Sequence, residues 1–366
     1  MSVSFPTAAT LRQALPAFYR LGGSTESKEN DARITAIVNT ILKELQTGIF
    51  SPAFVYPQAG IAFFIVNKSL IFIDNFIFSR GSYKKVKRGL LVEGDSFKMV
   101  AVLIMRTAPS KQEIYYLKKL CRNPWASKLL FYFQCEECIF GPTQLSTILI
   151  QTLYPKGDLQ MLSQKMPLNR SLLLFFFYQM LTILKCFHAM GLVHRDIKPE
   201  NFLVSENYEL VLADFDFTCT VPSDTELYFC GTPSSLAPEY VYNYVCKKPL
   251  KPVTTPPLDI WALGVCFSLF LNNLSLLSHA LKNSEEEQKK RLFLIYEKKL
   301  QPPPQTDPLD KIVAAMLNPI PENRGTAKSL LKQLLAYIGD VHSALLELHD
   351  RDANPPPPCP LPPTPS

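Results

Sequence analysis

The hydrophobic pattern of this chain turns from mainly strand-like to mostly helical after Gly157, and that change limits the possible fold more than any other feature. Between residues 53 and 105, short runs rich in Phe, Ile and Val (61–66, 70–78 and 99–105) alternate with turn-like breaks such as Asn67-Lys68 and Glu93-Gly94-Asp95. Runs of that length and composition predict an antiparallel sheet. A short helix is expected at 111–121, and further strands near 129–134 and 146–152. After Gly157, longer apolar stretches predict helices at 170–190, 259–273, 284–299, 308–317 and 326–350. Strands first and helices later predict an α+β chain with two unequal lobes. Ahead of the sheet, Ile34, Ile37, Val38, Ile41, Leu42 and Leu45 recur at helical spacing, so 32–46 reads as an amphipathic helix. Residues 1–31 read as a loose leader.

Composition sets further bounds. Apolar residues are 47% of the 366 and charged residues 19%, which supplies a sizeable core and excludes global disorder. Nine cysteines at irregular spacing do not make a complete disulfide framework, and Cys135-Glu-Glu-Cys138 has no second CxxC to finish a zinc site. The longest apolar runs, 60–79, 171–190 and 260–278, are each interrupted by Lys, Asp, Asn or Gln. They read as buried strands and helices rather than membrane spans. With no signal-peptide pattern at the N-terminus, the expectation is an intracellular protein, cytoplasmic or nuclear, without a membrane partner. The net charge of +6 is uneven: residues 1–150 carry +8 and residues 151–366 carry −2. A basic first half suits phosphate or an acidic partner, and nucleic acid is the less favoured alternative.

The chemistry concentrates in His194-Arg195-Asp196-Ile197-Lys198-Pro199-Glu200-Asn201, which follows a long apolar helix and precedes the short strand Phe202-Leu203-Val204. An Asp with an Asn five residues on, in a loop, suits phosphoryl transfer. The Asp accepts the proton of an attacking hydroxyl, the Asn amide oxygen binds a magnesium ion, and Lys198 offsets charge on the transferred group. Eighteen residues beyond Asp196 stands Asp214-Phe215-Asp216, a second carboxylate at a strand end. Gly231-Thr232-Pro233, Ala237-Pro238-Glu239, Leu258-Asp259-Ile260-Trp261 and Arg324 follow in that order.

With this ordered set, the chain resembles the eukaryotic protein kinases over roughly residues 70–338, and HRDIKPEN resembles their serine/threonine class. The resemblance implies a two-lobed kinase-like fold: an antiparallel first lobe with one helix at 56–153, and a mainly helical second lobe at 154–340. Residues 1–55 form an extension, and 341–366 a helix end and proline-rich tail. It also implies that ATP, Mg2+ and a protein substrate are the partners. Asp196, Lys198 and Asn201 are the implied catalytic residues, and Asn201 and Asp214 the implied magnesium ligands. Glu239 and Arg324 are expected as a buried ion pair, Asp259 as a brace for the catalytic loop, and Thr232 as a partner of Asp196 and Lys198. Arg195 is expected to receive a phosphate on the activation segment, with Thr218, Thr220, Ser223, Thr225 and Tyr228 as acceptor candidates. Gln151, Thr152 and Leu153 match the adenine-binding hinge, with Ile150 behind it.

The first lobe departs from the family. Where a glycine-rich loop belongs, Ser79-Arg80-Gly81-Ser82-Tyr83-Lys84-Lys85-Val86 keeps only Gly81 and Val86. Val100-Ala101-Val102-Leu103 puts leucine in place of the phosphate-binding lysine. Lys84 stands where the with-no-lysine kinases keep theirs, and Lys98 is the second candidate. Without a functional lysine, Lys84 belongs to a solvated basic cluster with Lys85, Lys87 and Arg88. Glu113, ten residues past Leu103, matches the glutamate that orients the lysine, or makes a surface pair with Lys118 or Lys119. Asp216 replaces a glycine whose positive φ it tolerates less well.

Three functions stay open at this point. One is an active serine/threonine kinase, supported by Asp196, Lys198, Asn201 and Asp214. A second is a pseudokinase that binds nucleotide or partners, supported by Leu103, the broken glycine loop and Asp216. The third is an interaction role for the tail 354–366, with eight prolines in thirteen residues, as a ligand for SH3- or WW-type grooves.

Overall fold

The structure is a computed structural model, and it describes residues 5–20, 34–39, 41–43, 53–56, 61–80, 84–105, 111–137, 144–222, 227–271, 285–297 and 308–339. Gly81, Cys138, Ser223, Thr225 and the proline-rich tail lie outside the described residues. The chain divides into two compact units: residues 1–110 with 127–153, and residues 111–126 with 154–366. The segment 111–126, read from sequence as part of the first lobe, thus groups with the second unit.

The first unit is a seven-stranded antiparallel sheet: β1 (Ala53–Tyr56), β2 (Ile61–Val66), β3 (Ser69–Arg80), β4 (Lys84–Glu93), β5 (Ser96–Met105), β6 (Leu129–Glu137) and β7 (Gln144–Thr152). Its spatial order is β1-β2-β3-β4-β5-β7-β6. Irregularities between Ile73 and Ser79 shift the register of β3 against β4. The sheet curls until β1 touches β6, and Phe64 meets Phe133 edge-on at 5.2 Å.

Alternation along each strand separates two apolar faces. One gathers Phe64, Ile71, Leu91, Val100, Val102 and Ile150. At the β2–β4 end of the other face, Phe63, Leu70, Phe72, Leu90 and Val92 pack against the N-terminal helices. Those helices are the expected one, seen at 34–39 and 41–43, and an unexpected one, α1 (Ala8–Arg20). Residues 8–20 are therefore not a loose leader. Leu11, Ala14 and Leu15 are buried at i, i+3 and i+4, so tertiary burial stabilises a helix too short to persist alone. The Thr7 hydroxyl caps it by accepting from the Thr10 N–H at 3.2 Å. Pro16 interrupts its internal hydrogen bonding, which weakens the sequence signal.

The second unit is mainly helical. Its elements are α2 (Lys111–Lys119), α3 (Leu159–Lys165), α4 (Arg170–Ala189), α5 (Pro238–Val245), α6 (Pro256–Leu271), α7 (Glu285–Tyr296), α8 (Pro308–Met316) and α9 (Ala327–Gly339). Short pairs β8 (Leu192–Val193) with β11 (Cys219–Thr220), and β9 (Phe202–Val204) with β10 (Leu210–Leu212), frame its loops. Helix α4 starts where the Asn169 side chain accepts the Leu172 N–H, and most of its residues are buried. Phe177 stacks on Phe267 of α6 at 3.6 Å between ring centres.

The expected ion pair is the buried fastener between α5 and the 3-10 turn before α9. Arg324 Nη1 and Nη2 donate to Glu239 Oε1 and Oε2 at 2.7 and 2.5 Å, and Arg324 is 0% exposed. Arg324 also donates from Nε to the Asn318 carbonyl at 2.8 Å and from Nη1 to the Pro257 carbonyl at 3.0 Å, while its guanidinium lies 4.9 Å from the Trp261 ring centre.

Two stability measurements check these assignments. Chemical denaturation of Leu11→Ala should show a loss of about 2–5 kcal/mol, with the exposed Gln13→Ala near zero; equal curves would mean that α1 is not packed on the sheet. Arg324→Met alone should cost about 3–5 kcal/mol because Glu239 is left as a buried charge, and Glu239→Met added to it should recover much of that loss.

Candidate active site

The catalytic string runs from β8 to the 3-10 turn Pro199–Asn201. Arg195 adopts a left-handed backbone, φ +69°, which is costly for a residue with a side chain. Asp259, buried at the start of α6, holds it there. Its Oδ1 accepts the Arg195 N–H at 2.9 Å, and its Oδ2 accepts the His194 N–H at 2.9 Å and His188 Nε2 at 3.0 Å. Burial alone would push the Asp259 carboxyl up, but the His188 hydrogen bond, the electrostatic interaction with His188 and His194 and the His194 amide outweigh it and hold it low. The expected brace is thus present.

His194 is fixed in turn. Its Nε2–H donates to the Ala213 carbonyl at 3.1 Å, leaving Nδ1 to accept the Asp196 N–H at 3.3 Å. Asp196, nearly buried, sits in a closed network. Thr232 Oγ1 donates to its Oδ1 at 2.7 Å, and Lys198 Nζ approaches its Oδ2 at 2.8 Å. Asn201 Nδ2 donates to the Asp196 carbonyl at 2.7 Å and to Oδ2 at 3.2 Å, and Lys198 Nζ donates to Thr232 Oγ1 at 2.9 Å. Thr232 reaches this position because Gly231 precedes it: φ there is +101°, and a Cβ would lie 2.7 Å from the Arg195 carbonyl.

Strand β10 delivers Asp214. The Ala213 N–H donates to the Asn201 carbonyl at 2.9 Å, tying the strand end to the catalytic loop. Phe215 is buried between Phe187 and His194, with ring centres 5.9 and 5.7 Å away. The left-handed residue of this string is Asp214, φ +67°, and Asp216 has no positive φ. The expected strain at Asp216 is therefore absent, because the turn is made two residues earlier.

Helix α2 brings Glu113, 2% exposed, to the same place, so it is not a surface partner of the helix's own lysines. Carboxylate oxygens of Glu113, Asp214 and Asp216 lie within 4.8 Å of one another. Gln112 Nε2 donates to the Thr218 carbonyl, fixing α2 to the segment after Asp214. Three hard oxygen donors this close suit Mg2+, and their mutual repulsion favours a bound cation. Asn201 uses its amide nitrogen on Asp196, which leaves Oδ1 as an acceptor for a cation.

In the first unit, register decides which candidates share a face. Val86 opposes Leu103, and Ala101 opposes Gln151. Directly opposed residues share a face, so these four stand together. Lys84 opposes Met105, which places position 84 on that face by alternation. Lys98 opposes Leu91 on the other face and is exposed, so the structure does not bring it to Leu103. Ile150 opposes Val102 within the other apolar cluster, whereas Gln151, one residue on, shares the face of Ala101. Leu153 is half-buried just past β7. Lys87 is 4% exposed, so the basic cluster at 84–88 is not uniformly solvated; only its position among strand residues hinted at this.

A family model described as "Protein kinase domain" matches residues 80–335. Over 158 residues, 43% of the chain, it is 29% identical to the mouse (Mus musculus) phosphorylase b kinase gamma catalytic chain, liver/testis isoform, 36% of which is covered. Over 196 residues, 51% of the chain, it is 29% identical to human (Homo sapiens) NUAK family SNF1-like kinase 1, 27% of which is covered. The hormonally up-regulated neu tumor-associated kinase homolog A of Xenopus laevis is 29% identical over 192 residues, 50% of the chain and 26% of that protein. The chain therefore spans about a third or less of the length of these relatives. Since the family's match covers more than two thirds of the chain and takes in both units and every residue of the Asp196 network, the chain belongs to the protein kinase family.

Proposed function

We propose that this chain is a protein serine/threonine kinase that transfers the γ-phosphate of MgATP to Ser or Thr hydroxyls of proteins. The observation that carries this reading is the closed network of Asp196, Lys198, Asn201 and Thr232, with Asp214 tied to it through Ala213. Asp196 Oδ2 is positioned to accept the proton of an attacking hydroxyl. The hydroxyl oxygen forms a bond to the γ-phosphorus, the bond from that phosphorus to the bridging oxygen breaks, and ADP leaves. Lys198 stands beside Asp196 as the cation that offsets charge on the transferred group. Mg2+, when bound, neutralises phosphate charge, and Asp214 and Asn201 are the residues we assign to hold it. Lys84 is our assignment for the phosphate-contacting lysine of the first unit, a reading supported by the backbone pairing of position 84 with Met105, two residues before Val86 and its partner Leu103.

The leucine at position 103 favours the second reading, a pseudokinase. Transfer of labelled γ-phosphate from MgATP to a basic protein separates the two. Asp196→Ala should lower the rate by about 10²–10⁴. Lys84→Met should lower it by about 10²–10³, by analogy with other aimed electrostatic groups. Lys98→Met should leave it unchanged. Wild-type transfer no greater than that of Asp196→Ala would contradict the kinase reading and favour the pseudokinase. Retained transfer in Lys84→Met would remove the assignment of that lysine.

A further inference from the structure

Sequence alone gives Arg195 a phosphate on the activation segment as its partner. In the structure its guanidinium, 7% exposed, is engaged by protein groups. Nη1 donates to the Phe217 carbonyl at 3.3 Å. Nη2 donates to the Tyr240 hydroxyl at 2.9 Å and to the Tyr228 carbonyl. The Tyr228 ring centre lies 5.5 Å from the guanidinium carbon. Of the described acceptor candidates, Thr218 is fully buried, while Thr220 and Tyr228 are exposed.

These contacts converge on Tyr240, in the first turn of α5 beside the anchored Glu239. Its hydroxyl accepts from Arg195, accepts from the Cys230 N–H at 3.3 Å and donates to the Tyr228 carbonyl at 3.2 Å. That uses the full capacity of one hydroxyl. Burial pushes the phenol up to about 12, Cys230 adding to this and Arg195 opposing it, so the donated proton stays in place. Phe229 stacks on the same ring at 5.2 Å. One side chain thus links the residue before Asp196, the stretch 228–230 and helix α5.

We propose that Tyr240 is a positioning residue that takes the place of a phosphate as the partner of Arg195, so that residues 228–230 are held beside the catalytic loop in the unphosphorylated chain. A buried guanidinium needs acceptors, and one hydroxyl and two carbonyls supply them to Nη1 and Nη2, while Nε has no partner among the described residues. A phosphate on the Nη1 and Nη2 edge would have to displace them. This inference rests on the kinase reading for its rate consequences, but not for its structural ones.

The experiment uses the full chain treated with phosphatase, with zero phosphate verified by intact mass. It reads both γ-phosphate transfer and amide exchange at residues 228–231. Wild type should transfer phosphate without a lag and at the same rate before and after phosphatase treatment. Tyr240→Phe, which keeps the ring and its stacking, should speed exchange at 228–231. It should also lower kcat about tenfold, with KM for ATP unchanged. Combined with Arg195→Ala, it should add little to the effect of Arg195→Ala alone. Loss of wild-type rate on phosphatase treatment, restored by rephosphorylation, would overturn the proposal, as would effects that multiply in the double variant. If untreated wild type does not exceed Asp196→Ala, the kinase reading has failed on its own, and the exchange measurement still decides: unchanged exchange at 228–231 in Tyr240→Phe overturns the role of Tyr240. The phosphatase arm on wild type requires no variant to fold.

Discussion

The buried carboxylate of Asp259 is the interaction on which the catalytic loop depends. A left-handed arginine next to Asp196 is a strained arrangement, and strain persists only where the surroundings over-determine it. Asp259 does this with two oxygens and three donors: the amides of His194 and Arg195 and the ring of His188. An ionised carboxylate in a buried place is costly unless it is hydrogen-bonded and paired. Here the three donors meet that cost, and in return they fix the backbone from which Asp196 projects. Because Asp259 stands on a long buried helix, the loop inherits the rigidity of the helical core.

The same logic extends outward from α5 and α6. Glu239 and Arg324 fasten the start of α5, and Tyr240, one residue on, touches Arg195 and the stretch 228–230. Gly231 lets the chain approach the Arg195 carbonyl closely enough for Thr232 to donate to Asp196. The Asp196 network is therefore assembled from two chain segments, the loop of Asp196, Lys198 and Asn201 and the stretch Gly231-Thr232. The acidic group of Glu113, Asp214 and Asp216 is joined to it through the Ala213–Asn201 hydrogen bond. A change at any anchor reaches the reacting atoms through short, stiff connections.

Much of this was legible in the sequence because it is carried by side-chain identity at fixed spacing. The Asp259 brace, the Glu239–Arg324 pair and the Thr232 contacts follow from the ordered motifs. What escaped was information that side-chain type does not carry. Helix α1 is short, contains Pro16 and forms because the sheet offers it an apolar face. Ile150 and Gln151 fall on opposite faces of the sheet because successive strand residues alternate, which motif matching does not register. The partners of Arg195 include two backbone carbonyls, which every residue possesses, so no pattern announces them. The left-handed turn fell at Asp214 rather than Asp216 because backbone geometry around a buried Phe215 settles it.

The most direct test of this account is kcat for γ-phosphate transfer by Asp259→Asn, compared with wild type at matched thermal stability. An asparagine of the same shape offers one acceptor oxygen and turns an N–H toward a group that itself donates. The loop should loosen at Arg195 while the first unit is untouched. The account predicts a fall in kcat of about tenfold to a hundredfold, the equivalent of about 1.5–3 kcal/mol for hydrogen bonds to a charged group, with little change in KM for ATP. A kcat equal to wild type in a folded Asp259→Asn protein would contradict it.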